Sequence, residues 1–457
     1  MVGIVLGEHI AYPFLPVFAG LVVTSLLLWR QPLWQSVSLL FCFVALGGLL
    51  MQRQQRASHV EWPQAEVRCE AVVMGEPAEK PKTMALDLLL TDGHTRLRTY
   101  IYKDSRSRRL HTGDGLRFSA RIEQGRAFVP SWKWQKCVVS LGRLPVTERA
   151  RLYFLKLRSR LLSRLDTPDA PADAVAVVAA MALGDKSGLT PDLKTLYAVT
   201  GASHVLALSG LHLGIIWSLL SLLTVGWRWR MASQLVVVAG MWTFVLLVGM
   251  PVSVVRAAVM LTAYALLSLG HRARMSVNTL AFTAMLVLMV SPQSLYDVGF
   301  QMSFMAVLSI LLFVPAFEAF LPPGALMRHR AVRWLWGVVA VSCAAQLGVA
   351  PLVAFYFGRF SVWFLPVNFV VLPAAVLILH LSIAALILPS LTYLLYIIVA
   401  LLNRLLGFIA TLPGASIEGL HPTLLQVCMV YVIILALWLL LRQLAGLTYS
   451  PASGAHH

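Results

Sequence analysis

LWQSVSLLFCFVALGGLLM, residues 33–51, contains no Asp, Glu, Lys or Arg, and QRQQR, residues 52–56, follows it at once. A helix rises about 1.5 Å per residue, so about 20 apolar residues cross the hydrocarbon core of a bilayer. The stretch reads as a transmembrane helix that ends where the polar run begins. Upstream, 13–28 is a second apolar run, and Arg30 sits in the tight turn between the two. Residues 1–51 therefore form a transmembrane hairpin. Residues 1–9 carry Glu8 but no Lys or Arg, so they lack the basic region of a cleavable signal peptide.

The composition agrees with this reading. Of 457 residues, 58% are hydrophobic and 12% charged, about half the charged share of a soluble domain. Most of the surface faces lipid. The net charge is +17, from 37 Lys+Arg against 20 Asp+Glu. In a membrane protein the positive-inside rule explains part of such an excess, so the charge has to be located before it is interpreted.

Downstream of the hairpin, residues 52–148 are polar and alternate in short runs at 67–74, 83–91, 95–102, 116–123 and 136–140. Turns at Asp92-Gly93 and Gly113-Asp114-Gly115 separate them. Five such strands predict a small β-barrel, with the OB-fold as the best match. Residues 149–171 then form a basic amphipathic linker. Arg149, Arg151, Lys156, Arg158, Arg160 and Arg164 alternate with Leu152, Phe154, Leu155, Leu157, Leu161 and Leu162. The linker is either a helix lying on the membrane surface or a connector packed on the barrel.

Residues 172–442 form a second transmembrane domain, and 443–457 a tail. The run 173–183 is too short to span and predicts a half-helix or re-entrant segment, closed by the glycines at 184–188. Nine spans follow, near 203–226, 232–249, 252–269, 276–290, 298–320, 333–357, 362–388, 391–412 and 423–441. Pro366, Asn368 and Pro373 predict a break in 362–388. The fold class is thus a polytopic α-helical membrane protein of about eleven transmembrane helices, with a small exterior OB-like β-barrel.

Loop charges orient the chain. Arg30, Arg228, Arg230, Arg272, Arg274, Arg328, Arg330, Arg333 and Arg442 fall on one side of this span count, and the opposite short loops hold Arg359 with Asp297 and Glu418. The Arg-rich side is cytoplasmic, and the β-domain lies outside. Arg404, inside a span, is the misfit. It either lines a cavity or marks a surface-lying helix.

Residues 52–150 carry 18 Lys/Arg against 11 Asp/Glu, an excess the positive-inside rule does not explain in an exterior domain. Arg96, Arg98, Lys103, Arg106, Arg108 and Arg109 cluster there, beside Tyr100, Tyr102, Trp132 and Trp134. Positive charge combined with aromatic platforms holds single-stranded nucleic acid without sequence preference. The rings serve either as such platforms or as barrel core. Cys69 and Cys137 lie in the first and last strands, and Cys42, Cys343 and Cys428 lie in spans. An exterior, oxidising location predicts a Cys69–Cys137 disulfide, with two free core thiols as the alternative.

Polar groups inside spans are costly and mark function by default. They are His204, Ser209, His212, Arg256, Asp297, Gln301, Gln346 and Asn368; His204, Arg256, Asp297 and Gln301 fall toward the outer leaflet, where they would line one vestibule, and Gln346 and Asn368 lie nearer mid-membrane. Arg256 reads as a phosphate contact in a pore, as an Arg–Asp clamp with Asp297, or as both. His204 and His212 share a helix face two turns apart, and no metal-ligand motif occurs. No metal or cofactor is expected.

The stretches His204-Val205-Leu206-Ala207-Leu208-Ser209-Gly210-Leu211-His212, Pro251 through Arg256-Ala257, and Asp297-Val298-Gly299-Phe300-Gln301-Met302-Ser303-Phe304 resemble, in this order, the signature of the ComEC competence-channel family. Pro351, Phe360, Asn368 and Pro373 fit the same pattern. The resemblance implies a channel in the bacterial cytoplasmic membrane that passes one DNA strand during natural transformation. It implies single-stranded DNA and membrane lipid as partners, with an exterior DNA-receptor protein and a cytoplasmic DNA-translocating ATPase. Many family members carry a C-terminal metallo-β-lactamase-like domain. This chain runs out soon after Arg442, so no enzymatic activity is expected of it, and a separate nuclease is implied. The rival functions are a secondary or lipid-linked substrate transporter, a membrane hydrolase using Ser209 with His204 or His212, and a structural platform. Against the transporter stand the missing internal repeat and the basic exterior domain.

Overall fold

The computed structural model describes residues 1–448 except 11, 59–61, 64, 92–94, 124, 141, 143, 168–169, 225, 227–228, 270–276 and 321–329. Of the residues used to orient the chain, Arg228, Arg272, Arg274 and Arg328 lie outside the described residues, as does the Asp92-Gly93 turn.

The hairpin is α2 (Phe14–Leu27) and α3 (Pro32–Ser58), preceded by a helix the sequence reading did not foresee, α1 (Val2–His9). Glycines let α1 lie directly on α3, since a Cβ at Gly7 would sit 2.6 Å from the Gly48 carbonyl oxygen. The Gln52 side chain donates to the carbonyls of Ile10 (3.1 Å) and Tyr12 (2.8 Å), which holds the α1–α2 turn against the end of α3.

The β-domain contains β1 (Val67–Val73), β2 (Ala78–Glu79), β3 (Thr83–Leu90), β4 (Arg96–Tyr102), β5 (Gly115–Ala120), β6 (Ile122–Glu123), β7 (Arg126–Val129) and β8 (Trp134–Cys137). Their order is β6-β7-β4-β3-β1-β5-β8, with β2 on β3. The pair β4–β7 is parallel. Alternation along β4 puts Leu97, Thr99 and Ile101 inward and Arg96, Arg98 and Tyr102 outward. Two sequence readings change here. The run 136–140 is not itself a strand, because the last strand ends at Cys137, and β7 was not anticipated. Trp134 packs into the core with Phe118 and Leu116, so it is not a stacking platform.

Cys69 and Cys137 do not form the expected bridge. They sit on β1 and β8, which flank β5 on opposite sides, Cys69 opposite Phe118 and Cys137 opposite Gly115. Two strand spacings alone separate them by about 10 Å, beyond the roughly 4.4–6.8 Å Cα distance a disulfide spans.

The linker is α4 (Val146–Leu165). Its Leu152 and Leu155, with Leu144, pack on Val72, Met74 and Leu89 of the sheet. It is a connector packed on the β-domain. A buried half-helix follows, α5 (Ala172–Leu183), terminated at Gly184 in the left-handed region (φ 74°) that glycine adopts at least cost.

The remaining helices are α6 (Pro191–Val199), α7 (Ser203–Leu206), α8 (Gly210–Leu223), α9 (Arg230–Leu247), α10 (Val252–Leu269), α11 (Val277–Val290), α12 (Val298–Glu318), α13 (Arg330–Phe357), α14 (Phe364–Ile387), α15 (Leu391–Ala410) and α16 (Leu424–Thr448). A two-stranded ribbon, β9 (Arg359–Ser361) with β10 (Ser416–Glu418), joins the loops before α14 and after α15. Among the described residues five helical stretches are long and apolar enough to cross a membrane: Pro32–Arg56, Val298–Glu318, Arg330–Phe357, Phe364–Ile387 and Leu391–Ala410. Seven shorter apolar helices accompany them.

Two spans differ from expectation. The run 203–226 is broken into α7 and α8 by extended backbone at Ala207 and Ser209. The run 362–388 instead forms the continuous helix α14. Pro366 lies in its first turn, where a missing N–H leaves no ladder bond unmade. Helices α12 and α13 approach backbone to backbone at Gly348, whose Cβ would meet the Met305 carbonyl oxygen at 2.4 Å.

Candidate functional site

Three segments far apart in sequence meet at one end of the bundle. At the α7–α8 break, Ser209 caps α8 in a reciprocal box with His212. The His212 Nδ1 lies 3.2 Å from Ser209 Oγ and accepts from the Ser209 N–H at 3.4 Å. His212 is fully buried, and among the described residues its Nε2 has no hydrogen-bond partner. The Ser253 hydroxyl of α10 donates to the Leu208 carbonyl (2.8 Å), which ties the break to α10.

One turn further along α10 lies Arg256, 2% exposed. Its Nη1 donates to Asp297 Oδ1 at 3.2 Å, and its guanidinium lies 5.8 Å from the Phe300 ring centre. The same Asp297 oxygen accepts from the Phe300 N–H (2.7 Å) and so caps α12. Asp297 thus holds a cation and a helix N-terminus with one oxygen. Among the described residues the Arg256 Nε has no partner. Gly299 packs closely on the pair, since a Cβ there would sit 3.1 Å from Asp297 Oδ1. Gln301 extends the cluster, donating to the Leu295 carbonyl (3.0 Å) and accepting from the Tyr356 hydroxyl of α13 (2.8 Å).

Of the other sequence candidates, His204 sits on α7 close enough to act electrostatically on His212, while Asn368 and Gln346 sit elsewhere. The His204 side chain is exposed, with Nδ1 3.0 Å from the Gly201 carbonyl oxygen. Asn368 donates to Ser342 Oγ (3.2 Å) between α14 and α13, and half-buried Gln346 lies one turn on from Ser342. Ser342 and Tyr356 are 14 residues apart on one helix, about 21 Å along its axis. Asn368 and Gln346 therefore form a second, deeper polar level. Among the described residues no group of His, Cys, Asp or Glu is arranged to hold a metal ion.

Sequence reading overlooked the link from α4 to this site. Arg151 and Arg158 donate to the carbonyls of Gly249 (3.1 Å) and Val248 (3.4 Å). These carbonyls end α9, where cations are favoured. The turn that follows contains Gly249 (φ 87°) and Met250 (φ 59°) and leads into α10 and Arg256. One face of α4 thus rests on the β-domain while its arginines hold the turn that presents Arg256.

On the β-domain, four of the six clustered cations face carboxylates: Arg96 with Glu148 (2.7 Å), Arg98 with Asp87 (3.8 Å), Lys103 with Glu79 (2.6 Å) and Arg106 with Asp104 (3.2 Å). The Lys103 ammonium holds the Glu79 carboxyl below its usual range. Burial alone would raise Asp104, but hydrogen bonds from Ser107 and Arg106 outweigh it and hold Asp104 low. Arg108 and Arg109 are exposed. Strand β7 adds what the sequence reading missed. Arg126 lies beside Arg98, and Phe128 beside Tyr100 with stacked rings 5.0 Å apart. Phe128 is 64% exposed and Trp132 78%. Phe128 opens into a groove of about 840 Å³ that is also lined by Trp62, Arg121, Arg126 and Lys133.

A helical membrane protein that crosses the bilayer several times, carries a β-domain on a basic strut and gathers a broken helix, a buried arginine and a capping aspartate at one end is the class these features define. The chain belongs to the competence protein family, whose model matches residues 181–444. All three motif segments fall within that match. Over 304 residues the chain is 29% identical to ComE operon protein 3 of Bacillus subtilis (strain 168), covering 63% of this chain and 37% of that protein. Over 238 residues it is 29% identical to an uncharacterized protein of Aquifex aeolicus (strain VF5), covering 52% and 51%. The chain thus spans about half or less of the length of these relatives. No solved structure matches it.

Proposed function

We propose that the chain is the membrane channel that carries single-stranded DNA across the bacterial cytoplasmic membrane in natural transformation. The observation that carries this reading is Arg256, a buried guanidinium that gives one donor to Asp297 and whose Nε has no partner among the described residues. Guanidinium binds phosphate through parallel donors. A buried cation in a bundle otherwise made of apolar helices suits a polyanion better than a neutral cargo. Family membership gives the reading its biological setting.

The finer parts of the proposal follow from the same arrangement. The helix lengths support about eleven crossings, with the shorter apolar helices completing the five long ones. The strand order β5-β1-β3-β4-β7, with its parallel β4–β7 pair, supports an OB-type barrel. The loop charges favour an exterior position for that barrel. There it takes the strand on the Arg98, Arg126, Tyr100 and Phe128 face, fed by an exterior DNA receptor. A cytoplasmic ATPase and a separate nuclease serve the same passage.

The test is uptake of labelled DNA by transformable cells carrying Arg256→Gln, with the membrane level of the protein measured in parallel. Lost uptake at normal protein level is expected. Normal uptake would sink the channel reading of Arg256.

A further inference from the structure

Arg404 is the one charged residue of the apolar helix α15, which is long and apolar enough to cross the membrane. Two bonds set the rotation of this helix. The Tyr197 hydroxyl donates to Asn403 Oδ1 at 2.7 Å, and the Tyr396 hydroxyl donates to the Leu165 carbonyl. Both draw the α15 face bearing Leu395, Tyr396, Val399, Leu402 and Leu406 into the bundle. Arg404 is consequently turned outward, in an exposed stripe with Ile397, Leu401 and Phe408. It lines no interior path, and α15 is not a surface-lying helix, because it packs along α14 and the buried half-helix α5. Among the described residues Arg404 has no carboxylate partner and no hydrogen bond.

A guanidinium stays charged at every physiological pH. On a lipid-facing stripe it must find an anion or water, and long cationic side chains do so by reaching for the nearer interface. Arg404 lies six residues before Ala410 and thirteen after Leu391, about 9 Å and about 20 Å along the axis. The nearer end is the one that carries the β9–β10 ribbon with Arg359 and Glu418. That level is the headgroup region of one leaflet, and the anion repeated throughout it is phosphate.

We infer that Arg404 is a lipid-binding residue that holds the phosphate of an anionic phospholipid in the leaflet at the ribbon end, with the acyl chains along Leu401 and Ile397. The site rests on α15 crossing the membrane and not on what the bundle transports, so its failure and that of the channel reading are separable.

Native mass spectrometry of the full chain, in detergent with phosphatidylglycerol or with a neutral diglycosyl diacylglycerol of the same chains, tests it. Arg404→Leu is expected to lower phosphatidylglycerol retention about fivefold, the factor one basic residue contributes at an anionic surface, and to leave glycolipid retention unchanged. A second measurement uses the unaltered protein. Arg404 modification by phenylglyoxal should run about fivefold slower in phosphatidylglycerol nanodiscs than in glycolipid ones. Equal retention by Arg404→Leu, or equal modification rates in the two nanodiscs, would overturn the inference. So would a protein complex that Arg404→Leu dissolves, since that would give the guanidinium a carboxylate partner instead.

Discussion

Breaking the Arg256–Asp297 pair from its two ends should have unequal consequences. Arg256 is 2% exposed, whereas the Asp297 side chain is half exposed and also caps α12. Asp297→Ala strands a buried guanidinium, worth about 3–5 kcal/mol, and removes an N-cap, worth about 1 kcal/mol more. Asp297→Asn keeps a capping oxygen and loses only the charge, so it should cost about 1 kcal/mol less than the alanine. Arg256→Met leaves a carboxylate that is still solvated and still capping, and an apolar side chain of similar length fills the space. The carboxylate left behind is half exposed, so losing its partner strands no buried charge and should cost little. The expected order of stability is therefore Arg256→Met near the unaltered protein, then Asp297→Asn, then Asp297→Ala. Thermal unfolding of the purified chain in detergent reads the order, and DNA uptake in cells reads function. Arg256→Met should be stable and inactive. If Asp297→Ala melts with Arg256→Met, the asymmetry argument is wrong. If Arg256→Met is stable and takes up DNA normally, the guanidinium has no role in transport.

Four further outcomes are expected. Arg126→Ala should reduce the salt dependence of single-stranded DNA binding by about 0.7 in the log–log slope, and Phe128→Ala should weaken binding by about 1–3 kcal/mol at constant slope; unchanged binding in both variants would remove the β4–β7 face as the contact. Alkylation of the unfolded chain without prior reduction should label both Cys69 and Cys137, and protection of the pair would restore the disulfide. Glu79 and Asp104 have depressed pKa values in the folded state, so their contribution is present above the ordinary carboxylate range and is lost as pH falls through the folded values; tryptophan fluorescence of the full chain should show the β-domain loosening below about pH 4, not between 7 and 5. Arg158→Ala should speed amide exchange at Val248–Met250 by at least about tenfold, as loss of a buried charge-assisted bond implies, and unchanged exchange would mean α4 does not hold that turn.

Local chemistry made much of this protein legible from sequence alone. Apolar runs report the cost of exposing backbone and side chains to lipid or water, so the hairpin, the β-rich insert and the later helices could be read without neighbours. The price of a polar group among apolar ones is likewise local, and it singled out Ser209, His212, Arg256 and Asp297, all of which meet at one end of the bundle. What sequence could not supply was adjacency. Strand β7 is four residues long, too short for a periodic signal, and it exists because β4 offers it a parallel edge. The disulfide expectation failed because strand order, not position first or last in the chain, decides which cysteines are neighbours. Arg256 and Asp297 lie 41 residues apart, and only the packing of α10 against α12 makes them a pair. The direction of Arg404 was undecidable for the same reason. Its helix is apolar on nearly every side, and only the packing of the face bearing Leu395 and Leu406, with the bonds of Tyr197 and Tyr396, shows which side turns inward.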